Sequence, residues 1–286
     1  MKWATLRARI NATMPTTAMT AIEPWEKRPV FNCSIMSILV FAPVYVHVFS
    51  GLAQVEAVLA LRKRSGYPYG MIILTNTGGV AMTNCYLIAD ELAKQAVLFD
   101  APDHTTEPLL KEAAARGWDL IGLWLTHGHF DHLADHAVVR QRFPEAKILL
   151  HALEEPKAQH PEVQTRLFQL SFVIPPLKAD ARVTDNQKLK IGALEVVVIH
   201  TPGHAPGHVA YHFPAEKELV GGDLIIGGSI GRTDLPDSDH QQMEASVRRV
   251  MDLPADTRLL GGHGPATTLG EERQTNPFVQ GILASS

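Results

Sequence analysis

The stretch LTHGHFDHLADH, residues 125–136, constrains this chain more than any other. It crowds four histidines and two aspartates into one short run, and buried groups of this kind need a metal ion or hydrogen-bond partners. The run follows an apolar segment ending at Thr126 that reads as a strand. It leads into an amphipathic segment that reads as a helix ending before Pro144. His127 and His129 stand at i, i+2, so on an extended backbone they share one side. Asp131 and His132 fall where the helix begins. A short strand-to-helix turn therefore brings four donors into one small volume. Imidazole suits zinc, iron and similar ions, and carboxylate broadens the choice. Surface histidines beside a helix cap would explain one pair, but not four donors between His127 and His132. Asp135 and His136, one turn further on, read as a continuing helix face that satisfies local hydrogen bonds.

Three later segments repeat one arrangement: an apolar strand, glycine and a single donor. Val196–Ile199 runs into HTPGHAPGH, where a Pro-Gly turn presents His204. VGGDLI presents Asp223, and LLGGHGP presents His263. Strand ends are where layered α/β proteins usually assemble their sites. His208 follows His204 across Pro206-Gly207, which is not a helix face, so it reads as a supporting residue rather than a ligand. Thr126 reads equally as a ligand support or as a strand-end cap. Cys85 reads as core. The histidines at 104, 151, 160, 200, 212 and 240 belong to no motif.

From residue 70 onward short strands alternate with inserted helices. Strands are expected at Ile72–Thr75, Cys85–Ala89, Ala96–Phe99, AKILLH, both sides of Gly192, HVAYHF, ELVGGDLI and TRLLGG. Helices are expected over TTEPLLKEAAARG, closing at Gly117, and over about residues 241–251. This pattern predicts an α/β protein with sheet layers covered by helices.

Taken in order, His127, His129, Asp131, His132, His204, Asp223 and His263 resemble the metallo-beta-lactamase fold. That family's HxHxDH signature is followed by a remote His, Asp and His. The resemblance covers about residues 71–280 and implies a four-layer αββα sandwich. TPGHAPGH, GGSIGRTDLP and GHGPATTLGEERQTNPF resemble the short, single-domain branch of the glyoxalase II-like, hydroxyacylglutathione hydrolase-type proteins. The resemblance implies two divalent metal ions, zinc first, with iron or manganese as alternatives. His127, His129 and His204 would hold metal 1; Asp131, His132 and His263 would hold metal 2; Asp223 would bridge them. A metal-bridging hydroxide would be the nucleophile, so no serine or cysteine nucleophile is needed. Asp131 would be catalytic as well as a ligand, orienting that nucleophile.

The implied substrate is a small-molecule thioester of the S-acylglutathione kind. The larger glyoxalase II enzymes bind glutathione through an added helical domain, and few residues follow His263 here. Two other chemistries fit the resemblance: a mononuclear-iron persulfide dioxygenase, and a lactamase or lactonase. The complete seven-residue set argues for two metals over one. Asp223 stands where some zinc beta-lactamases carry a cysteine. Arg232, Asp234 and Arg273 match positions of the branch and read as a loop-fixing salt bridge.

Residues 1–69 read as an N-terminal extension and 70–286 as the hydrolase domain. Positions 29–55 contain no Asp, Glu, Lys or Arg, which is long enough to span a bilayer. The segment is a candidate membrane anchor, an apolar segment packed on the domain, or an extension from an early start codon. Flanking Arg62, Lys63 and Arg64 favour a cytoplasmic catalytic domain tethered through 29–55. A net charge of −4 argues against nucleic acid as a partner. Two distant cysteines form no disulfide framework.

Overall fold

Residues 70–285 are described by the structure, a computed structural model. Strand β1 (Met71–Gly78) turns at Gly79 into β2 (Thr83–Asp90), which pairs with β3 (Gln95–Phe99). Helix α1 (Glu107–Ala115) leads to β4 (Asp119–Trp124), then α2 (Phe130–Leu133), α3 (His136–Arg142) and β5 (Lys147–His151). A 3-10 turn (Ala152–Glu154), α4 (Glu155–Gln159) and α5 (Pro161–Leu167) precede β6 (Ala181–Val183). The second half holds β7 (Lys188–Ile191), β8 (Leu194–His200), β9 (Val209–Phe213), β10 (Glu218–Gly222), α6 (His240–Met251), β11 (Arg258–Gly261) and β12 (Thr267–Thr268). It closes with α7 (Leu269–Thr275) and α8 (Pro277–Ala284).

Each half of the described chain makes one six-stranded sheet. The first runs β1 to β6 in sequence order; the second runs β12-β11-β10-β9-β8-β7. The period-2 alternation of the strands explains how they stack. In β2, Tyr86 and Ile88 face the second sheet, while Cys85, Leu87 and Ala89 face the helices. Val97 and Phe99 of β3 face the second sheet, while Ala96 and Leu98 face the helices. Val196, Val198, Val209, Tyr211 and Phe213 meet the inner face from the other side. Phe99 packs edge-on against Trp124, Tyr211 and Phe213, an aromatic cluster that joins the sheets.

On the outer faces, Leu109, Leu110 and Ala113 of α1 cover the first sheet. Met243, Val247 and Val250 of α6, with Val279 and Ile282 of α8, cover the second. The result is two sheets flanked by helices, the four-layer αββα sandwich expected from the sequence.

Gly117 follows α1 at φ +65°, a left-handed helix stop, and Gly192 turns β7 into β8 at φ +59°. The expected helix after His129 is broken at Ala134-Asp135 into α2 and α3. The short strands β6 and β12 and the last two helices were not expected.

Among the described residues no helix is long and apolar enough to cross a membrane. The expectation of membrane association through 29–55, and of a cytoplasmic domain tethered that way, is corrected on that finding. Residues 29–55 themselves lie outside the described residues.

Candidate metal centre

The seven expected residues converge at one edge of the sandwich, where strands of both sheets end. β4 stops at Trp124 and delivers His127, His129, Asp131 and His132. The loop after β8 delivers His204, β10 delivers Asp223, and β11 delivers His263. Three overlapping groups have ligand atoms that all lie within 4.8 Å of one another: His127, His129 and His204; His127, His132 and Asp223; Asp131, His132 and His263. All seven are buried except His263, which is partly exposed.

Hydrogen bonds on the outer side of three of the imidazoles aim their inner nitrogens. His127 Nδ1 faces Thr126 Oγ1 at 3.0 Å, His204 Nδ1 faces the Arg232 carbonyl at 2.9 Å, and His132 Nδ1 faces Asp100 Oδ2 at 2.8 Å. A nitrogen that donates outward leaves its ring partner as a bare lone pair pointing inward. The inward nitrogens then meet: His127 Nε2 and His129 Nδ1 at 2.9 Å, His129 Nδ1 and His204 Nε2 at 2.8 Å.

Asp223 lies between the groups. Its Oδ2 is 3.4 Å from both His204 Nε2 and His263 Nε2, and its Oδ1 is 3.4 Å from His132 Nε2. Asp131 Oδ2 is 3.5 Å from His132 Nε2 and from His263 Nε2. Those spacings are long for hydrogen bonds. They match the roughly 3.3–3.4 Å between neighbouring ligand atoms of a tetrahedral ion bound at 2.0–2.1 Å. His132 Nε2 and Asp223 Oδ1 are also buried without a hydrogen-bond partner, which is costly unless an ion meets them. The donor set therefore fits a binuclear divalent site.

The electrostatics distinguish the two groups. Burial and the surrounding imidazoles hold His127 well below the ordinary histidine range; burial and Lys157 do the same for His129. Burial would also depress His132, but the carboxylates of Asp131, Asp223 and Asp100 outweigh it and raise the ring well above its ordinary value. Burial works against ionised Asp131, yet His132 and His263 pull it down to about 2. The site thus divides into a neutral histidine group and a group that pairs carboxylates with imidazoles.

His208 does not face the cluster. Its Nε2 accepts from the Asp223 backbone N–H at 3.0 Å and its Nδ1 donates to Thr201 Oγ1 at 2.8 Å, the supporting role expected. Asp135 differs from expectation, because its partners are remote. It accepts from the backbone N–H groups of His104, Thr105 and Thr106, fixing the loop after β3. His136 likewise reaches the distant Pro175 carbonyl at 2.9 Å. Arg232 grips Asp234 through two hydrogen bonds, whereas Arg273 binds the Met251 carbonyl at the end of α6.

Several site residues escaped the sequence reading. Asp100, at φ +58°, receives the Thr126 N–H and hydroxyl as well as His132. Thr83 Oγ1 donates to Asp131 Oδ2 at 2.8 Å. Asn84 holds the His263 loop through the Gly261 and Gly264 carbonyls. Glu154 and Gln164 grip the backbone around Gly128. The available signal was an acidic residue ending an apolar strand in VLFD, the same signal that marked Asp223.

The family profile described as the metallo-beta-lactamase superfamily matches residues 78–263. The chain belongs to the metallo-beta-lactamase superfamily. Within it, the structure resembles the B3 metallo-beta-lactamase BLEG-1 at a TM-score of 0.67 and 35% identity, covering 73% of this chain and 99% of that one. It resembles TTHA1623, solved in a di-iron-bound form, at a TM-score of 0.64 and 36% identity, covering 72% and 99%. The hydroxyacylglutathione hydrolase GloC of Haemophilus influenzae is 31% identical over 205 residues, 68% of this chain and 92% of that protein. These superfamily relatives belong to different branches, and they do not single out the glyoxalase II-like one. Metal clusters and family together make the chain a metal-dependent, hydrolase-type enzyme.

Proposed function

We propose that this chain hydrolyses a small-molecule thioester of the S-acylglutathione kind at a two-metal centre. His127, His129 and His204 hold the first ion, Asp131, His132 and His263 the second, and Asp223 both. The single observation that carries the reading is Asp223, whose Oδ2 faces both His204 and His263 while its Oδ1 faces His132, so that one carboxylate touches both groups. When bound, the ions supply Lewis-acid polarisation of the carbonyl and a water of lowered pKa.

The chain's own residues do the rest. Thr83 Oγ1–H fixes Asp131 Oδ2, so the carboxylate keeps one orientation. With its carboxyl pulled down to about 2, Asp131 stays ionised and would accept a hydrogen bond that aligns the attacking water. Asp100 and Thr126 lock the rings of His132 and His127. Addition of water to the carbonyl and cleavage of the C–S bond give a carboxylic acid and a thiol. Similarity to a hydroxyacylglutathione hydrolase supports the thioester. Similarity to BLEG-1 favours lactam hydrolysis as the second reading, since the same attack opens an amide.

The test is metal content measured beside three activities on one preparation. About two metal equivalents and thiol release from S-lactoylglutathione are expected. Lactam opening without thiol release would favour the second reading. One iron with oxygen consumption on glutathione persulfide would overturn both.

A further inference from the structure

We infer that Glu154 is the positioning residue that sets the distance between the two loops of the first metal's histidines. This rests on the two-metal reading above. Glu154 ends the 3-10 turn after β5, is fully buried, and no motif contains it. Its Oε2 accepts the Gly128 N–H at 2.9 Å and its Oε1 accepts the Gly207 N–H at 2.7 Å. Gly128 lies between His127 and His129; Gly207 lies in the loop that begins at His204. One carboxylate therefore spans from the first sheet's ligand loop to the second sheet's.

Both glycines are shaped by this contact. A Cβ on Gly128 would stand 2.9 Å from Glu154 Oε2, and one on Gly207 would stand 2.7 Å from His151 Nδ1 and 2.8 Å from Glu154 Cγ. Neither clash leaves room for a side chain without moving the carboxylate. Lys157 Nζ, 3.2 Å from Oε2 and paired with Asp237 at 2.6 Å, compensates the buried charge. Gln164 adds a second grip on one side only. Its Nε2 donates to the Gly128 carbonyl and its Oε1 accepts the Phe130 N–H, each at 2.9 Å. Glu154 alone reaches across to the His204 loop among these residues.

Only a carboxylate has two equivalent acceptors for two backbone donors. A glutamine offers one acceptor oxygen and turns an NH2 group toward the other N–H. Glu154→Gln keeps the volume and breaks one of the two tethers, so the His127/His129 loop and the His204 loop drift apart. The three nitrogens that meet at 2.8–2.9 Å then no longer converge. The second group, Asp131, His132 and His263, is held by Thr83, Asp100 and Asn84 instead, and keeps its geometry.

The experiment titrates the zinc-loaded full chain with a chelator and measures bound zinc per chain for wild type, Glu154→Gln and Gly207→Ala. Both variants are expected to release one of the two ions about 10- to 100-fold more readily while the other keeps its affinity. Cobalt substitution should change the absorption of one site only. A residue that merely stabilises the fold would lower the Tm and leave both affinities alone, and that result overturns the inference. Equal weakening of both ions overturns it too. If the variants do not fold, hydrogen exchange on wild type decides. Protected Gly128 and Gly207 amides, although both lie in loops, support the tether; exchange at open-loop rates overturns it. No substrate enters these measurements, so a failed thioesterase assay leaves them standing, whereas a wild type that binds no zinc removes the metal reading and this one together.

Discussion

His132 Nδ1 meets Asp100 Oδ2 at 2.8 Å in a fully buried contact, and this turns His132 Nε2 toward Asp131 and Asp223. The same carboxylate receives the Thr126 N–H, so Asp100 supports the rings on both sides of the centre. We predict that Asp100→Asn lowers metal affinity about 10- to 100-fold, with a matching fall in kcat. Metal analysis after dialysis checks it; full retention of two ions would remove Asp100 from the centre.

His263 is the most exposed of the seven residues. His263→Ala should leave the three histidines of the first group intact, so bound metal should fall from about two equivalents to about one, with a large loss of activity. Plasma emission analysis against protein concentration reads this out.

Asn84 ties β2 to the loop after β11 through Nδ2 bonds to Gly261 O at 3.0 Å and Gly264 O at 2.8 Å. Asn84→Ala takes the side-chain donor from the Gly264 carbonyl, while Gly261 O keeps the Tyr86 hydroxyl at 2.7 Å, and should cost about 1–3 kcal/mol of stability. Urea unfolding measures that, and weaker binding of the ion assigned to His263 should accompany it.

Gly262 has no room for a methyl group. A Cβ there would stand 2.1 Å from Asp223 Oδ1 and 2.8 Å from His132 Cε1. Gly262→Ala should therefore lower kcat by about 10- to 100-fold or more through displaced ligands. Steady-state kinetics at saturating metal tests it, and a wild-type kcat would contradict the packing described.

Burial, with help from Arg140, lowers His136 from 6.5 to about 4. The unfolded chain takes up this proton near pH 6.5 and the folded chain only near 4, so falling pH favours unfolding between them. The contribution to stability is complete above about pH 6.5 and lost by about pH 4, at most about 3 kcal/mol. His136→Gln should flatten the pH dependence of unfolding free energy in that window. Equal slopes for variant and wild type would refute it.

The strand ends were legible because buried strands must be apolar, which makes a single His or Asp after such a run conspicuous. HxHxDH concentrates that signal, and His204, Asp223 and His263 repeat it. Asp100 carried the same mark in VLFD but stood alone, without a neighbouring donor to draw notice. Glu154 left no mark, because an acidic residue in ALEEP reads as solvated surface until the fold buries it. Asp135 departs from the helix-face expectation because such a face predicts partners one turn away, whereas the helix break at Ala134-Asp135 turns its carboxylate toward Thr105 and Thr106. The short strands β6 and β12 are too brief for periodicity to register.

The division of the sheets also fixes when the centre can come into being. One sheet is drawn from residues 71–183 and the other from 188–268, and each proposed ion draws ligands from both. A chain still emerging from the ribosome can complete the first sheet and expose His127, His129, Asp131 and His132 while His204, Asp223 and His263 are unmade. Metal capture by the full set therefore waits for the second sheet, a clasp that cannot close before His263 has been made.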